Sequence, residues 1–259
     1  MRVFITGDTH GDFERLFEWN ERTGLLNDKE NLLIILGDSG FNYQVRENKD
    51  KASTYDYRRY RTTLSNWINK NRYVNNIKCM TLCIHGNHEA RPDTIVGYET
   101  GTFAGGCIFY EEDFPTLMFA DDGQIYRLNG KDYLVIGGAY SVDKNYRLDN
   151  GYRWFDDEQP SDYIKSAIEF VIEHRNNKID VVLSHTCPLK WEPTELFLTN
   201  IDQSTVDKST ESWLDEIENK LAYKRWYFGH YHGNKHIKEG VEMLFDDVIE
   251  VVDFEREKI

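Results

Sequence analysis

The chain has 259 residues, of which 40% are hydrophobic and 29% are charged, an ordinary balance for a globular protein with a substantial core. Its longest aliphatic run, residues 32–36, is too short to cross a bilayer, and the N-terminal MRVFITGDTHG has no apolar signal core, so we expect a cytoplasmic protein without a membrane partner. The formal net charge of −14 disfavours nucleic acid as a partner, because binding a phosphate backbone requires a surface rich in lysine and arginine.

Apolar runs alternate with amphipathic stretches through the first half of the chain. We predict helices at residues 12–22 and 54–72, with Asp12 as the N-cap of the first, and strands at 2–6, 31–36 and 77–84. Continuous apolar strands suit a sheet that is buried on both faces. Their alternation with helices predicts a layered α/β fold.

The second half of the chain contains shorter strand candidates. Alternating runs at 124–128 and 132–136 are joined by Asn129-Gly130, which predicts a hairpin. Further elements are expected as helices at 161–174 and 205–221 and as strands at 179–184, 225–228, 241–245 and 248–254. We find no fixed-period repeat and no linker rich in proline or serine, so a single domain over residues 1–259 is the simplest interpretation.

Five short polar motifs stand out, and most directly follow a predicted strand. They are Asp8-Thr9-His10, Gly37-Asp38, Gly86-Asn87-His88-Glu89, His185 and Gly229-His230-Tyr231-His232. Ligands of layered α/β sheets bind beyond the carboxyl ends of the strands, so these motifs are expected to converge at one edge. Imidazole and carboxylate without thiolate favour zinc, iron, manganese or related divalent ions. The sequence therefore predicts a metal site formed by Asp8, His10, Asp38, Asn87, His185, His230 and His232.

The order of these motifs resembles the calcineurin-like metallophosphoesterase superfamily. The resemblance rests on D-x-H, GD, GNH followed by an acid, a lone histidine after a strand, and GHxH, and it spans residues 8–232. It implies a four-layer α/β/β/α sandwich with two central mixed sheets. It also implies two divalent ions (manganese, iron, zinc or nickel) bridged by Asp38, one held by Asp8, His10 and His232 and the other by Asn87, His185 and His230.

The resemblance further implies hydrolysis of a phosphate ester in a small phosphorylated substrate. Two ions about 3.5–4 Å apart would clamp a phosphoryl group and lower the pKa of a bridging water, whose hydroxide would attack phosphorus. His88 would lie beside the scissile ester and, when protonated, would act as general acid toward the leaving oxygen. Glu89 is expected either to orient His88 or a ligand histidine, or to stand at the N-terminus of a helix.

The second motif departs from one branch of that superfamily. The first and third motifs resemble the phosphoprotein phosphatases, in which the second motif continues as GD-x-VDRG. Here it reads Gly37-Asp38-Ser39-Gly40-Phe41-Asn42. The acid that supports the catalytic histidine and the phosphate-binding arginine are therefore absent. This departure argues against phosphoprotein phosphatase activity and leaves open which group orients His88.

Contacts to the substrate are expected from loops. Lys144 and Arg147, in the segment 138–147 after a strand, and Arg91, just after GNHE, are candidates, because arginine suits bidentate phosphate binding. The alternative for segment 138–147 is a solvated surface loop. Three aromatic residues either line a pocket for a flat group or pack in the core: Trp154, Phe155 and Trp191.

The leading hypothesis is a dinuclear metal-dependent phosphoesterase, with the choice between monoester and diester open. The alternatives are a non-catalytic interaction scaffold that retains the fold, a phosphoprotein phosphatase, and a nucleic-acid-processing enzyme. The complete ligand set and His88 argue against the scaffold, and the negative charge argues against nucleic acid. The sequence makes no prediction about the oligomeric state.

Overall fold

The computed structural model describes residues 1–49 and 58–252, which form a mixed α/β fold. Within these ranges none of the helices has the length and apolarity needed to cross a membrane. The helices are α1 (Glu14–Thr23), α2 (Leu64–Asn76), α3 (Lys144–Asp149), α4 (Asp162–His174) and α5 (Ser209–Lys220). The strands are β1 (Val3–Thr6), β2 (Leu32–Ile35), β3 (Val45–Glu47), β4 (Tyr60–Thr62), β5 (Met80–Cys83), β6 (Ile95–Val96), β7 (Glu99–Phe103), β8 (Gly106–Tyr110), β9 (Leu117–Ala120), β10 (Ile125–Leu128), β11 (Lys131–Ile136), β12 (Val181–Ser184), β13 (Arg225–Phe228), β14 (Lys235–Lys238), β15 (Val241–Met243) and β16 (Val248–Glu250).

The described strands form two large mixed sheets and one small one. The seven-stranded sheet has the order β16-β1-β2-β5-β9-β8-β7, with a parallel centre and antiparallel strands at both ends. The six-stranded sheet has the order β10-β11-β12-β13-β15-β14, again with a parallel centre. Strands β3, β4 and β6 form the small sheet.

Three clusters of buried apolar side chains hold these elements together. One joins the seven-stranded sheet to α1 and α2, a second joins the two large sheets, and a third joins the six-stranded sheet to α4 and α5. In β1, Phe4 belongs to the first cluster, whereas Val3 and Ile5 belong to the second. In β12, Leu183 belongs to the second cluster and Val182 to the third. Because both faces of these strands are buried, their sequences read as continuous apolar runs.

The predicted helix over residues 54–72 is wrong in its first part. Residues 54–57 lie outside the described ranges, and Tyr60–Thr62 is the strand β4, which pairs with β3. The helix begins at Leu64, because the Thr63 side chain accepts a hydrogen bond from the backbone N–H of Asn66 and caps the first turn. It continues to Asn76, past the predicted end.

Two other helix starts also differ from prediction. Helix α1 has Phe13 rather than Asp12 at its N-cap, although the Asp12 carboxylate accepts a hydrogen bond from Glu14 N–H at 3.2 Å. Helix α5 begins at Ser209 rather than at 205, where a short 3₁₀ turn ends. Asp207 accepts a hydrogen bond from Ser209 N–H at 2.9 Å and so satisfies a donor of the first turn.

The hairpin prediction at Asn129-Gly130 is confirmed. Both residues have positive φ, 48° and 76°, which is the conformation that a two-residue turn between twisted strands requires, and β10 pairs antiparallel with β11. Strands β7, β8 and β9 were not predicted. The final predicted strand is present over Val248–Glu250, and its last two predicted residues, 253–254, lie outside the described ranges.

Candidate metal centre

The strand register brings the five motifs to one edge of the two sheets. In the seven-stranded sheet, Ile35 at the end of β2 pairs with both Thr6 and Cys83, the last residues of β1 and β5. In the six-stranded sheet, Ser184 pairs with Phe228, so β12 and β13 also end side by side. The polar residues that follow these parallel strands therefore leave the sheets at the same level.

The first group of converging donors consists of Asp8, His10 and His232. The Nε2 atoms of the two histidines are 2.7 Å apart, and they lie 3.7 and 3.6 Å from Oδ2 of Asp8. The Asp8 side chain is fully buried, whereas that of His232 is 50% exposed, so the group opens to solvent on one side. The Tyr43 hydroxyl hydrogen-bonds Nδ1 of His10 and leaves Nε2 directed at the group.

The second group consists of Asn87, His185 and His230. Oδ1 of Asn87 lies 2.8 Å from Nε2 of His185 and 3.1 Å from Nδ1 of His230. The amide nitrogen of Asn87 donates to the Ser141 hydroxyl at 2.8 Å, which turns the amide oxygen toward the histidines. Nδ1 of His185 is 2.7 Å from the carbonyl oxygen of Leu36, to which it donates in the tautomer that leaves Nε2 unprotonated.

Asp38 lies between the two groups. Its Oδ1 accepts a hydrogen bond from the backbone N–H of His88 at 2.9 Å, and its Oδ2 lies 3.9 Å from Nε2 of His185. Ligand atoms of Asp8, Asp38 and His185 all lie within 4.8 Å of one another. The structure thus brings together all seven residues that the sequence analysis proposed as ligands.

Close backbone approach explains the glycines that precede the ligands. A Cβ atom at Gly86 would lie 2.1 Å from Oδ1 of Asp38, and one at Gly229 would lie 2.3 Å from Oδ1 of Asp8. Positive φ, the conformation that favours glycine, is found at Gly37 but not at Gly86 or Gly229. These two positions need glycine because ligand carboxylates occupy the space beside their Cα atoms.

The turns themselves are made by ligand residues with positive φ. Of the eight non-glycine residues with positive φ in the described part of the chain, four are candidate ligands. They are His10, Asp38, His230 and His232, with φ between 45° and 69°. Such conformations cost energy for residues with a Cβ and persist where the surrounding structure holds them, often at functional sites.

The pKa shifts of His10, His230 and Asp8 suit a bound cation. Burial lowers the pKa of His10 to about 4 and that of His230 to about 3, so both imidazoles are neutral near pH 7 and have a free lone pair. Burial raises the pKa of Asp8, but His185 and the other nearby histidines outweigh this effect and leave its pKa below the usual value. Oδ2 of Asp8 is buried and receives no hydrogen bond within the described residues. A buried carboxylate oxygen of this kind needs a positive partner, and the donor set fits a divalent metal.

His88 lies next to the donor groups and contacts Arg147. Nη2 of Arg147 and Nδ2 of Asn87 each lie 3.3 Å from Nε2 of His88. Both nitrogens are donors, so Nε2 of His88 accepts in this arrangement. Burial and the charge of Arg147 lower the pKa of His88 to about 2. Arg147 is held in place by Asp143, whose Oδ2 lies 2.8 Å from its Nε.

Neither expected role of Glu89 is found. Glu89 is buried and accepts a hydrogen bond from the backbone N–H of Gly40 at 2.6 Å and another from the Ser39 hydroxyl. It therefore braces the loop that carries Asp38 rather than orienting a histidine. The short 3₁₀ turn that follows begins only at Pro92, so Glu89 is not at the N-terminus of a helix either.

Two of the three residues that were predicted to contact the substrate, Arg91 and Lys144, have other partners. Arg91 is buried, with Nη1 2.6 Å from Oδ2 of Asp122 and Nε donating to the Asp157 carbonyl oxygen at 2.8 Å. A buried arginine is usually committed to such partners. Nζ of Lys144 lies 3.9 Å from the centroid of the Trp154 ring, a cation–π contact. Of the three predicted contacts, only Arg147 reaches His88.

Two of the three aromatic residues that could have lined a pocket pack in the core instead, whereas Trp154 borders a surface pocket. Phe155 is buried in the cluster beneath the seven-stranded sheet, and Trp191 is buried in the cluster of the six-stranded sheet. Nε1 of Trp154 donates to Glu158 at 2.8 Å. An aromatic contact that the sequence does not predict is Tyr43, whose only local signal is its position five residues after Asp38.

Comparisons with known proteins identify a family. The family model described as "Calcineurin-like phosphoesterase" matches residues 1–234. No curated protein sequence matches the chain. The crystal structure of TT1561 of Thermus thermophilus is similar with 11% identity and a TM-score of 0.45, covering 96% of this chain and 97% of that one. A second crystal structure shows 12% identity and a TM-score of 0.43, covering 94% of this chain and 89% of that one.

Proposed function

The chain belongs to the calcineurin-like phosphoesterase family, whose reaction is metal-dependent hydrolysis of phosphoesters, and we propose that it is a dinuclear phosphoesterase acting on a small phosphomonoester or phosphodiester. The observation that carries the proposal is the pair of donor groups that meet at Asp38. In each group the candidate ligand atoms converge. Ligand atoms of Asp8, Asp38 and His185 lie within 4.8 Å of one another.

We assign the ligands of the two ions as follows. Asp8, His10 and His232 would hold one, Asn87, His185 and His230 would hold the other, and Asp38 would contribute to both. Manganese, iron, zinc or nickel suits these nitrogen and oxygen donors. When bound, two such ions would neutralise phosphoryl charge and lower the pKa of a water near both of them.

In this proposal Arg147 binds the phosphoryl group. Its Nη2 already points at Nε2 of His88, and its Nε is fixed by Asp143. A planar guanidinium held in this way can donate two parallel hydrogen bonds to phosphoryl oxygens. Arg147 thus supplies the positive charge that Phe41 and Asn42 do not, at the positions where the phosphoprotein phosphatase pattern carries an acid and an arginine.

His88 remains our proposed general acid, with a condition that its environment imposes. Its Nε2 accepts hydrogen bonds here, and burial with the Arg147 charge keeps the imidazole neutral. When Arg147 turns to the phosphoryl oxygens, Nε2 loses this donor and gains a phosphate anion as its neighbour. Both changes favour the protonated imidazole, which can then donate to the leaving oxygen.

The layer order of the fold, the number of domains, the cellular location and the kind of partner are part of the same proposal. The three apolar clusters support the four-layer α/β/β/α order, because they alternate with the two large sheets. We propose one domain over residues 1–259, located in the cytoplasm, with a small phosphorylated molecule as its partner rather than nucleic acid or a membrane. The net charge of −14 supports the exclusion of nucleic acid.

A substrate screen with chosen metals tests this function. Aryl phosphomonoesters and phosphodiesters, followed by nucleotides and cyclic nucleotides, are assayed with manganese, nickel, zinc and iron. We expect hydrolysis that requires metal and that is lost in Asp38→Asn. His174→Ala is the matched control, because His174 is exposed and its ring contacts Phe170, one turn earlier in the same helix. Absence of hydrolysis with every metal and ester would favour the non-catalytic scaffold.

A further inference from the structure

A pocket of about 350 Å³ lies beside the candidate metal centre and shares residues with it. Asp38, Asn87, His88, His230 and His232 line one part. The segment 192–211 lines another part, with the apolar side chains of Leu196, Phe197, Leu198, Ile201 and Val206. The volume is that of a site for a small organic molecule.

The apolar lining of the pocket packs directly against the segment that carries the ligands His230 and His232. A Cβ atom at Gly233, directly after His232, would lie 2.7 Å from Cδ1 of Leu196. The ring of Phe197 stacks on that of Tyr231, with centroids 6.2 Å apart, and Tyr231 stands between the ligands His230 and His232. The apolar part of the pocket therefore has a fixed position relative to the metal centre.

Glu211 is a buried acidic residue in the lining of this pocket. It lies in the first turn of α5 and is 3% exposed. Its Oε1 accepts a hydrogen bond from the Thr186 hydroxyl at 2.8 Å, whereas Oε2 is buried and receives no hydrogen bond from any other described residue. Burial raises the pKa of Glu211 to about 7. In its ionised form a buried carboxylate oxygen without a donor is costly, so this atom calls for a donor from outside the chain.

We propose that this pocket binds the organic part of the phosphoester, an apolar group that carries an N–H or O–H donor for Glu211. The inference rests on the proposed function and names its substrate class. The phosphoryl group lies at the metal centre and Arg147, the apolar body packs on the 192–211 segment, and the donor reaches Oε2 of Glu211. A phosphoester of a very small alcohol, such as methyl phosphate, leaves the apolar part of the pocket empty.

A pair of isosteric substrates tests the donor. 4-(Hydroxymethyl)phenyl phosphate and 4-ethylphenyl phosphate, or their methyl diesters if the protein prefers diesters, differ by one hydroxyl group in place of a methyl group. We expect kcat/KM to favour the hydroxymethyl ester by roughly tenfold or more, because a site built for a hydrogen bond rejects the analogue that lacks it. 4-(Aminomethyl)phenyl phosphate shows whether a cationic donor is preferred. A ratio near one for both donor esters would overturn the proposal, since a buried water would then be the partner of Glu211.

Variants of pocket residues test whether Glu211 causes the preference for the hydroxymethyl ester. Glu211→Gln replaces the carboxylate by an amide and should bring the ratio toward one. Glu216→Gln makes the same change in charge on an exposed position of the same helix and should leave the ratio unchanged. Leu198→Ser, at a side chain that is 59% exposed, should lower kcat/KM for both aryl esters relative to methyl phosphate. A ratio that persists in Glu211→Gln would contradict the assignment.

Failure of the proposed function and failure of this inference can be distinguished. If no ester is hydrolysed, the affinities of 4-(hydroxymethyl)benzylphosphonate and 4-ethylbenzylphosphonate are compared by calorimetry with the metal-loaded protein. Tighter binding of the hydroxymethyl compound would support the pocket assignment without catalysis. Equal affinity, or no binding of either phosphonate, would overturn it.

Discussion

The Nε2 atoms of His10 and His232 face each other at 2.7 Å, although 222 positions separate these residues in the chain. Both residues have φ near 50°, in the left-handed region. Oδ2 of Asp8 completes a triangle of donor atoms with sides of 3.6 and 3.7 Å. Backbone strain at two loops thus accompanies the convergence of three ligand atoms. Such strain is expected where the three atoms bind a cation.

Gly229→Ala should weaken metal binding without a change of any ligand. The new Cβ would lie 2.3 Å from Oδ1 of Asp8, an atom that now accepts the His230 N–H at 2.9 Å. Disturbing such support typically weakens metal affinity by about 10- to 100-fold. Metal titration followed by calorimetry measures the change. Gly101→Ala is the control, because its Cβ would meet the Tyr110 ring at 3.1 Å and the Ile108 side chain at 3.7 Å rather than a ligand. Equal affinity in both variants would refute the close-approach argument.

Arg147→Ala should reduce kcat/KM by about 10²- to 10³-fold on the preferred substrate, as loss of a donor to a charged transition state does. Lys144→Ala is the matched control, since the two residues belong to the same short helix and Nζ of Lys144 contacts the Trp154 ring instead. Steady-state kinetics of both variants measure the difference. Equal losses, or no loss from Arg147→Ala, would remove Arg147 from phosphate binding.

His88→Ala should keep the bound metals and slow hydrolysis by about 10²- to 10⁴-fold, the usual contribution of a general acid. The effect should shrink for esters whose leaving group is already a weak base, because such a group needs no proton. Rates on an activated aryl ester and an unactivated alkyl ester, together with elemental analysis, measure this. A uniform loss on both esters would show that His88 does not act as the acid.

Glu218→Gln should lower stability in a pH-dependent way. Burial raises the pKa of Glu218, but hydrogen bonds from Lys190, Lys238 and Tyr223 outweigh this effect and lower it from 4.5 to about 2. The folded pKa is therefore below the unfolded one, so the stabilisation is present above pH 4.5 and is lost as the pH falls toward 2. Allowing for solvent screening, we expect a loss of about 1–2 kcal/mol at pH 7.

Urea unfolding of Glu218→Gln and of the wild type at pH 7 and near pH 3 measures the loss in the free energy of unfolding. We expect a smaller loss at the lower pH. Glu216→Gln, on the exposed face of the same helix, serves as the control. A difference that is the same at both pH values would mean that the loss does not come from the ionised carboxylate.

Local signals allowed much of the site to be predicted from the sequence. The ligand motifs are short, and most stand directly after apolar strands, whose parallel register then aligns them. The hairpin at Asn129-Gly130 was equally local. The true position of Arg91 was not predictable in this way, because its partner Asp122 lies 31 positions away in a segment of ordinary composition.

The roles of the residues that support the site could not be predicted, for a physical reason. Tyr43, Ser141 and Glu89 act through contacts that exist only after the loops have packed together. The pocket lining at 192–211 likewise depends on contacts with the Gly229–Gly233 loop rather than on any periodic pattern. The strand Tyr60–Thr62 inside a predicted helix shows the same effect, since its pairing with Val45–Glu47 outweighs local helix preference.

Metal analysis of the purified protein tests the central claim most directly. Protein purified without chelator and passed through a desalting column should carry close to two equivalents of divalent metal per chain. Asp38→Ala should reduce both equivalents, whereas His232→Ala should reduce one, and chelation should abolish hydrolysis until metal is restored. Protein that hydrolyses phosphoesters while free of metal would contradict the dinuclear centre.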